Sequence, residues 1–225
     1  MMKKLKYRIN INSFPFRNER FLMGVLVFSL TLTFSLLYHN RYITDASSWS
    51  EYLAIKLNQG KMPYRDFFVY TPPMIVFKLR FIWYLFGESV LFVKFAGMLE
   101  RSFMILLLYV MFSKEYKPLY AFCSSLISYL IVMCRPIDTV GDYTWLTIMI
   151  ILISTFLVQK FWDYKRSKSK YSFLYLFLSF FAAAQAMMAK QNIGLVYICA
   201  LCLYFLIYVV CCRGKNVGTS TTTPT

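Results

Sequence analysis

The sequence predicts an all-α, polytopic membrane protein with about six transmembrane helices, both its N-terminus and its C-terminus in the cytoplasm, and interfacial helices in the first outer loop. Three observations predict this. Of 225 residues, 59% are hydrophobic and only 16% are charged, with a mean hydropathy of +0.52, against roughly 45–50% apolar and 25% charged for a soluble domain. The 22 Phe and 18 Tyr set against 8 Gly and 7 Pro place the apolar excess in long helices rather than in turn-rich sheets. The third observation is that most of the basic residues fall between the apolar runs. Together these exclude a secreted scaffold, a disordered chain and a water-soluble enzyme. The net charge of +15 then reports topology, and no nucleic-acid partner is expected.

A helix needs about 20 mostly apolar residues to cross the hydrocarbon core. Six segments qualify: Phe21 to Tyr38, Lys94 to Phe112, Pro118 to Cys134, Thr144 to Trp162, Tyr171 to Ala189 and Ile193 to Cys212. They form one membrane domain over 21–212, preceded by a basic cytoplasmic segment, 1–20, and followed by a polar, low-complexity tail, 213–225, expected to be disordered. The run from Met74 to Phe86 is apolar too, but its 13 residues carry Lys78 and Arg80, which fits an interfacial segment better than a span. The first span is too long for the apolar region of a cleaved signal and reads as a signal anchor.

With six spans and a cytoplasmic start, 15 of the 25 Lys and Arg residues fall on the inner side and eight on the outer side, while Lys94 and Arg101 fall within a span. That bias supports the orientation. A seventh span over Met74 to Phe86 would move the basic stretch Lys165 to Lys170 outside, against the same rule. The acids are distributed the other way, with Asp45, Glu51, Asp66, Glu88, Asp138 and Asp142 outside. Carboxylates contribute little to orientation, so this outer cluster needs a chemical explanation.

The first outer loop, 39–93, is far longer than the 2–8 residues usual between packed helices, and loops of that length are usually functional. Ser48-Trp49-Ser50-Glu51 fits a capping box, Trp49, Leu53 and Leu57 share a helical face, and Gly60 ends the run. Asp45 therefore precedes a helix N-terminus, where the dipole favours an ionised carboxylate able to act as a base. A connector rich in Pro and aromatic residues follows, Lys61 to Pro73, and cannot be helical through its prolines. A second short helix over Met74 to Phe86 ends at Gly87, and the two would lie along the outer membrane interface. Within the connector, Arg65 and Asp66 can pair with each other or with the loop backbone, or Arg65 can face substrate.

The order of span, Asp45, short helix, Gly60 to Phe68 (Gly-Lys-Met-Pro-Tyr-Arg-Asp-Phe-Phe), Pro72-Pro73, apolar helix and Phe86-Gly87-Glu88-Ser89 resembles the N-terminal half of GT-C fold glycosyltransferases. The likeness is to the branch with protein O-mannosyltransferases, lipid A aminoarabinose transferases and rhizobial lipopolysaccharide transferases. Ala189-Lys190-Gln191-Asn192-Ile193-Gly194 is similar to the Lys-Gln-x-Gly hairpin of that branch. The resemblance implies transfer of a sugar from a polyprenyl-phosphate carrier to a hydroxyl acceptor on a cell-envelope glycan, lipid or protein, with Asp45 as general base. It also implies a bacterial cytoplasmic membrane. Ala46 stands where many members carry a second acid. Members continue with more spans and often a soluble domain, so the resemblance implies either a second subunit supplying the rest or a truncated, non-catalytic membrane module.

A lipid-phosphate leaving group needs cationic partners, and Lys190 and Arg135, with Arg65, are the candidates. The second outer loop, 135–143, holds Arg135, Asp138 and Asp142. By position these acids are candidates to shape the substrate site or to hold a divalent metal, Mg or Mn. Two carboxylates alone make a poor site for such an ion, which wants more oxygen ligands or a substrate phosphate, and the spacing matches no recognised metal motif. A histidine-based site is not expected, since His39 is the sole histidine. Lys94, Glu100 and Arg101 are costly in a span unless paired or beside water. Adjacent on one helix, Glu100 and Arg101 point about 100° apart and are not expected to be simple partners. The cysteines are expected to pack as small apolar side chains, without disulfides.

Overall fold

A computed structural model describes residues 14–38, 45–69, 73–133 and 143–217. Eight helices run through them: α1 (Phe14–Leu37), α2 (Asp45–Asn58), α3 (Met74–Phe86), α4 (Val90–Glu115), α5 (Pro118–Met133), α6 (Tyr143–Arg166), α7 (Ser172–Ala189) and α8 (Gln191–Val217). Among the described residues there is no strand, only an isolated bridge between Pro63 and Phe67. Among the described residues, five stretches are long and apolar enough to cross a membrane: Glu19–Leu37, Leu91–Glu115, Tyr143–Arg166, Ser172–Ala189 and Gln191–Cys211. This is the make-up of a multi-pass helical membrane protein. The expected Pro118–Cys134 span is a shorter apolar helix, whose 16 residues rise only about 24 Å. Its exposed Ile127, Leu130 and Ile131 still give it an apolar outer face.

The long helices alternate in direction. The closing turns of α4 and α6 meet through the Lys114–Asp163 ion pair at 2.9 Å, and α8 joins them there through Trp162 and Tyr208, ring centroids 4.4 Å apart. The beginning of α1 lies at the same end, where the Tyr109 hydroxyl donates to the Arg20 carbonyl at 2.9 Å. At the other end, Ser35 of α1 meets the Tyr129 hydroxyl of α5 at 2.8 Å, and that hydroxyl donates to the Thr31 carbonyl. Hydrogen bonds of this kind join helices where lipid offers no competing partner.

α6 and α7 form the most extensive helix pair. Ser179, Ala183, Ala186 and Ala189 are buried along one side of α7, and such small side chains let backbones approach closely. The approach is close enough for the Ser154 hydroxyl of α6 to donate to the Ser179 carbonyl at 2.8 Å. The Tyr197 hydroxyl of α8 reaches Ser154 and Thr155, each at 3.0 Å, so three helices share one polar node. Cys123, Cys199, Cys202 and Cys211 are unpaired and exposed on their helices, rather than packed inside.

The loop helices differ from expectation in register. α2 begins at Asp45 itself, so Ser48 lies in the first turn rather than at the cap, and the capping-box reading is corrected. Its far end behaves as expected. Gly60 takes φ 78°, its N–H meets the Leu57 carbonyl at 3.0 Å, and the Lys61 N–H meets the Lys56 carbonyl at 3.1 Å, the paired closure that a left-handed residue permits. α3 buries Ile75, Val76, Leu79, Ile82 and Trp83 against Leu53 and Leu57 of α2, Val93, Leu146, Ile150, Ala186 and Ala189. Phe77, Phe81 and Tyr84 remain exposed. The two loop helices are thus seated on the bundle end where α7 gives way to α8.

That turn is a single residue, Lys190. Gly194 permits it, because a Cβ there would lie 2.3 Å from the Met187 nitrogen and 2.4 Å from its Cα, atoms that cannot swing aside. Gly194→Ala is expected to force α7 and α8 apart and to destabilise the protein by about 2 kcal/mol. Thermal unfolding in micelles, followed by helical circular dichroism, reads the loss; an unchanged midpoint would show that the turn relaxes freely.

Candidate functional site

The candidate site is the bundle end formed by α2, α3, the opening of α6 and the α7–α8 turn. Its floor is the apolar cluster around Leu79 and Ala186. Above it, α2 starts at Asp45; the side chain of Asp45 lies outside the described residues. Arg135, Asp138 and Asp142 also lie outside them, and so does any metal site they would make. Among the described residues no group of three or more His, Cys, Asp or Glu side chains is placed to hold a metal ion.

Lys190 is described in full. It caps α7 with extended backbone geometry, and its ammonium donates to the Thr144 hydroxyl at 3.1 Å while lying 4.9 Å from the centroid of the Tyr143 ring. Neither contact carries a negative charge, and among the described residues no carboxylate pairs with it. The cation is held at the first turn of α6 by a hydroxyl and an aromatic face, which orient a charge without neutralising it.

Within the connector between α2 and α3, residues 62–67 close on themselves. The Tyr64 N–H donates to the Phe67 carbonyl and the Asp66 N–H to the Met62 carbonyl, both at 2.9 Å. Asp66 also accepts the Met62 N–H at 2.7 Å and takes two hydrogen bonds from Arg65, at 2.9 and 2.8 Å. Those Arg65 bonds, foremost, and the Met62 N–H hold its carboxyl down at about 2. The same partnership raises Arg65. Arg65 thus takes its neighbour and shapes the loop, one of the roles its spacing allowed, and its side chain is 71% exposed. Tyr64 adopts φ 66°, a left-handed conformation that a bulky residue keeps only when its surroundings impose it. Asn58 then ties the end of α2 to Glu88 at 2.8 Å, and the Ser89 hydroxyl caps α4 by accepting the Leu91 N–H at 3.3 Å.

Beneath the loop helices lies an arrangement that the spacing of residues along the chain did not reveal. Glu100 is 6% exposed and pairs with Lys78 of α3, while Arg101, 2% exposed, sits 5.1 Å from the Trp145 ring. Neighbours in sequence, Glu100 and Arg101 thus engage different helices, as their angular separation requires. The clue to the first pair was available: a carboxylate inside a span requires a cation, and Lys78 is a cation on an otherwise apolar helix. Which cation it would be depended on how α3 docks.

Two outcomes follow. Lys78→Met leaves Glu100 enclosed without its cation and should cost about 3 kcal/mol of stability, whereas Lys78→Met with Glu100→Leu should regain most of it; thermal unfolding of the two variants in micelles separates the cases. Because folding lowers the Asp66 carboxyl, its contribution to loop order is complete above about pH 4 and drains away as pH falls through about 2. Pepsin nicking near Phe67 should rise over that interval in the wild type, while Asp66→Asn should be nicked readily throughout; wild-type protection that stays flat down to pH 2 would contradict the assignment.

Comparison with known proteins returns no match of any kind: no family model, no curated protein and no solved structure resembles this chain closely enough to be reported.

Proposed function

We propose that the chain is a membrane glycosyltransferase of the GT-C type. It moves a sugar from a polyprenyl-phosphate carrier to a hydroxyl acceptor in the cell envelope, on the outer face of a bacterial cytoplasmic membrane. In this reading α5 is the sixth span and both termini are cytoplasmic. The observation that carries it is the order of parts along the first long loop: Asp45 opening α2, the Gly60 stop, the closed Pro63–Phe67 connector, α3 and the Ser89 cap. The two short helices and the closed Pro63–Phe67 turn form a platform that shares a bundle end with Lys190.

The chemistry assigned to these residues is simple. A sugar or serine-type hydroxyl is a poor nucleophile, and a carboxylate within hydrogen-bond reach lowers the barrier by taking its proton as the new bond to the anomeric carbon forms. Asp45 takes that proton. The bond from the anomeric carbon to the carrier phosphate oxygen breaks with inversion, and the lipid phosphate leaves with its electron pair. Lys190, held by Thr144 and Tyr143 with no carboxylate partner among the described residues, stabilises the departing phosphate, and Arg135 is assigned the same role. Arg65 supports the platform through Asp66. Asp138 and Asp142 complete the site, with Mg or Mn if the phosphate supplies the missing oxygen ligands.

The test is transfer from a radiolabelled polyprenyl-phosphate sugar in isolated membranes. Asp45→Asn should lower the rate about 100-fold or more without lowering the amount of folded protein. Transfer that survives the substitution would remove Asp45 from the base role, and no transfer by the wild type would favour a non-catalytic module or the need for a second subunit.

A further inference from the structure

At the opposite end of the bundle, between the closing turns of α4 and α6 and the second half of α8, lies a cavity of about 600 Å³. The glycosyltransferase reading makes no use of it. We propose that this cavity binds the headgroup of an anionic phospholipid carrying a free hydroxyl, of the phosphatidylglycerol kind, with its acyl chains laid along α8.

Charge is the first argument. Lys114 and Asp163 in the wall neutralise each other at 2.9 Å. Lys165 and Arg166 then outweigh Glu115. Among the described residues neither of those two cations has a carboxylate partner. Lys165 is instead held over aromatic faces, 4.6 Å from the Tyr208 centroid and 5.0 Å from that of Trp162. A cation fixed by rings rather than by an acid is poised for a phosphate, and basic pockets between helix ends are suited to anionic headgroups.

Unanswered polar atoms are the second argument. The Gln159 amide oxygen and the Trp162 indole N–H are both enclosed and have no hydrogen-bond partner among the described residues, a costly state for such groups. Both residues belong to the cavity wall. With a small shift of these two wall side chains, a headgroup hydroxyl could accept from the indole and donate to the amide, which a choline group could not do.

Position decides for a lipid over a soluble phosphate. The cavity sits where the apolar helices end, with Trp162, Tyr204 and Tyr208 in its wall, the residue types that favour a membrane–water boundary. Beside it runs the least covered of the long apolar helices, only 11% buried, whose exposed Leu203, Leu206, Ile207 and Val210 offer acyl chains a surface continuous with the headgroup site.

Native mass spectrometry of the full chain in detergent, titrated with phosphatidylglycerol and separately with phosphatidylcholine, tests the proposal. One phosphatidylglycerol should be retained at concentrations where phosphatidylcholine is not. Lys165→Gln with Arg166→Gln should weaken that binding about tenfold or more, whereas Lys168→Gln with Lys170→Gln, which removes the same charge from the neighbouring surface, should leave it within about twofold. Trp162→Phe, which deletes the indole donor and keeps the aromatic face, should weaken phosphatidylglycerol alone. Equal retention of the two lipids, equal loss in the two double variants, or full displacement by millimolar inorganic phosphate would each overturn the proposal.

Discussion

The close approach of α6 and α7 is the contact on which most of the architecture depends. It exists because one side of α7 is built from Ser179, Ala183, Ala186 and Ala189, all buried, and in an apolar solvent helices associate through close packing and hydrogen bonds rather than through exclusion of water. With the backbones this near, Ser154 can reach the Ser179 carbonyl and Tyr197 can tie α8 to the same point. The same small residues leave a shallow floor at one end, on which Leu57 of α2 and Leu79 of α3 settle. Larger side chains at Ala186 or Ala189 would fill that floor and unseat the loop helices.

Charges inside the apolar body are placed by what each can afford to touch. Glu100 could not remain buried without a cation, so α3 brings Lys78 to it. Arg101 spreads its charge over the Trp145 face, and Lys190 over that of Tyr143. These aromatic partners come from the first turn of α6, which makes that turn the electrostatic hub of the upper end. The lower end answers differently, with an ion pair between Lys114 and Asp163 and cations beyond it held on rings. One end thus combines buried, tightly engaged charges with a platform of short helices, while the other gathers basic residues around an aromatic-walled cavity.

Much of this was legible along the chain. Apolar runs separated by basic stretches located the long helices, Gly60 and Gly87 marked the ends of the two loop helices, and the prolines of the connector excluded helix there. The errors were local. Asp45 opens α2 as its first residue because boundary signals overlap when Asp45, Ser47 and Ser48 are all competent caps, and α5 is described over 16 residues, Pro118–Met133. The site was less legible. Lys190 stands out through the resemblance of Ala189–Gly194 to a Lys-Gln-x-Gly hairpin, but its holders Thr144 and Tyr143 are 46 and 47 positions away in sequence and on another helix, so no spacing rule could join them.

What the sequence by itself determined is the helical, apolar character of the protein, the order of its elements and the presence of a long, structured loop after the first long helix. These follow from composition and periodicity, which are local properties of the chain. Only the tertiary structure decided that Lys78 belongs to Glu100, that Lys190 is held by Thr144 and Tyr143, that Gly194 must lack a side chain and that α4, α6 and α8 together line a cavity. Those outcomes depend on how separate helices pack against one another, and no periodicity along a single helix encodes them.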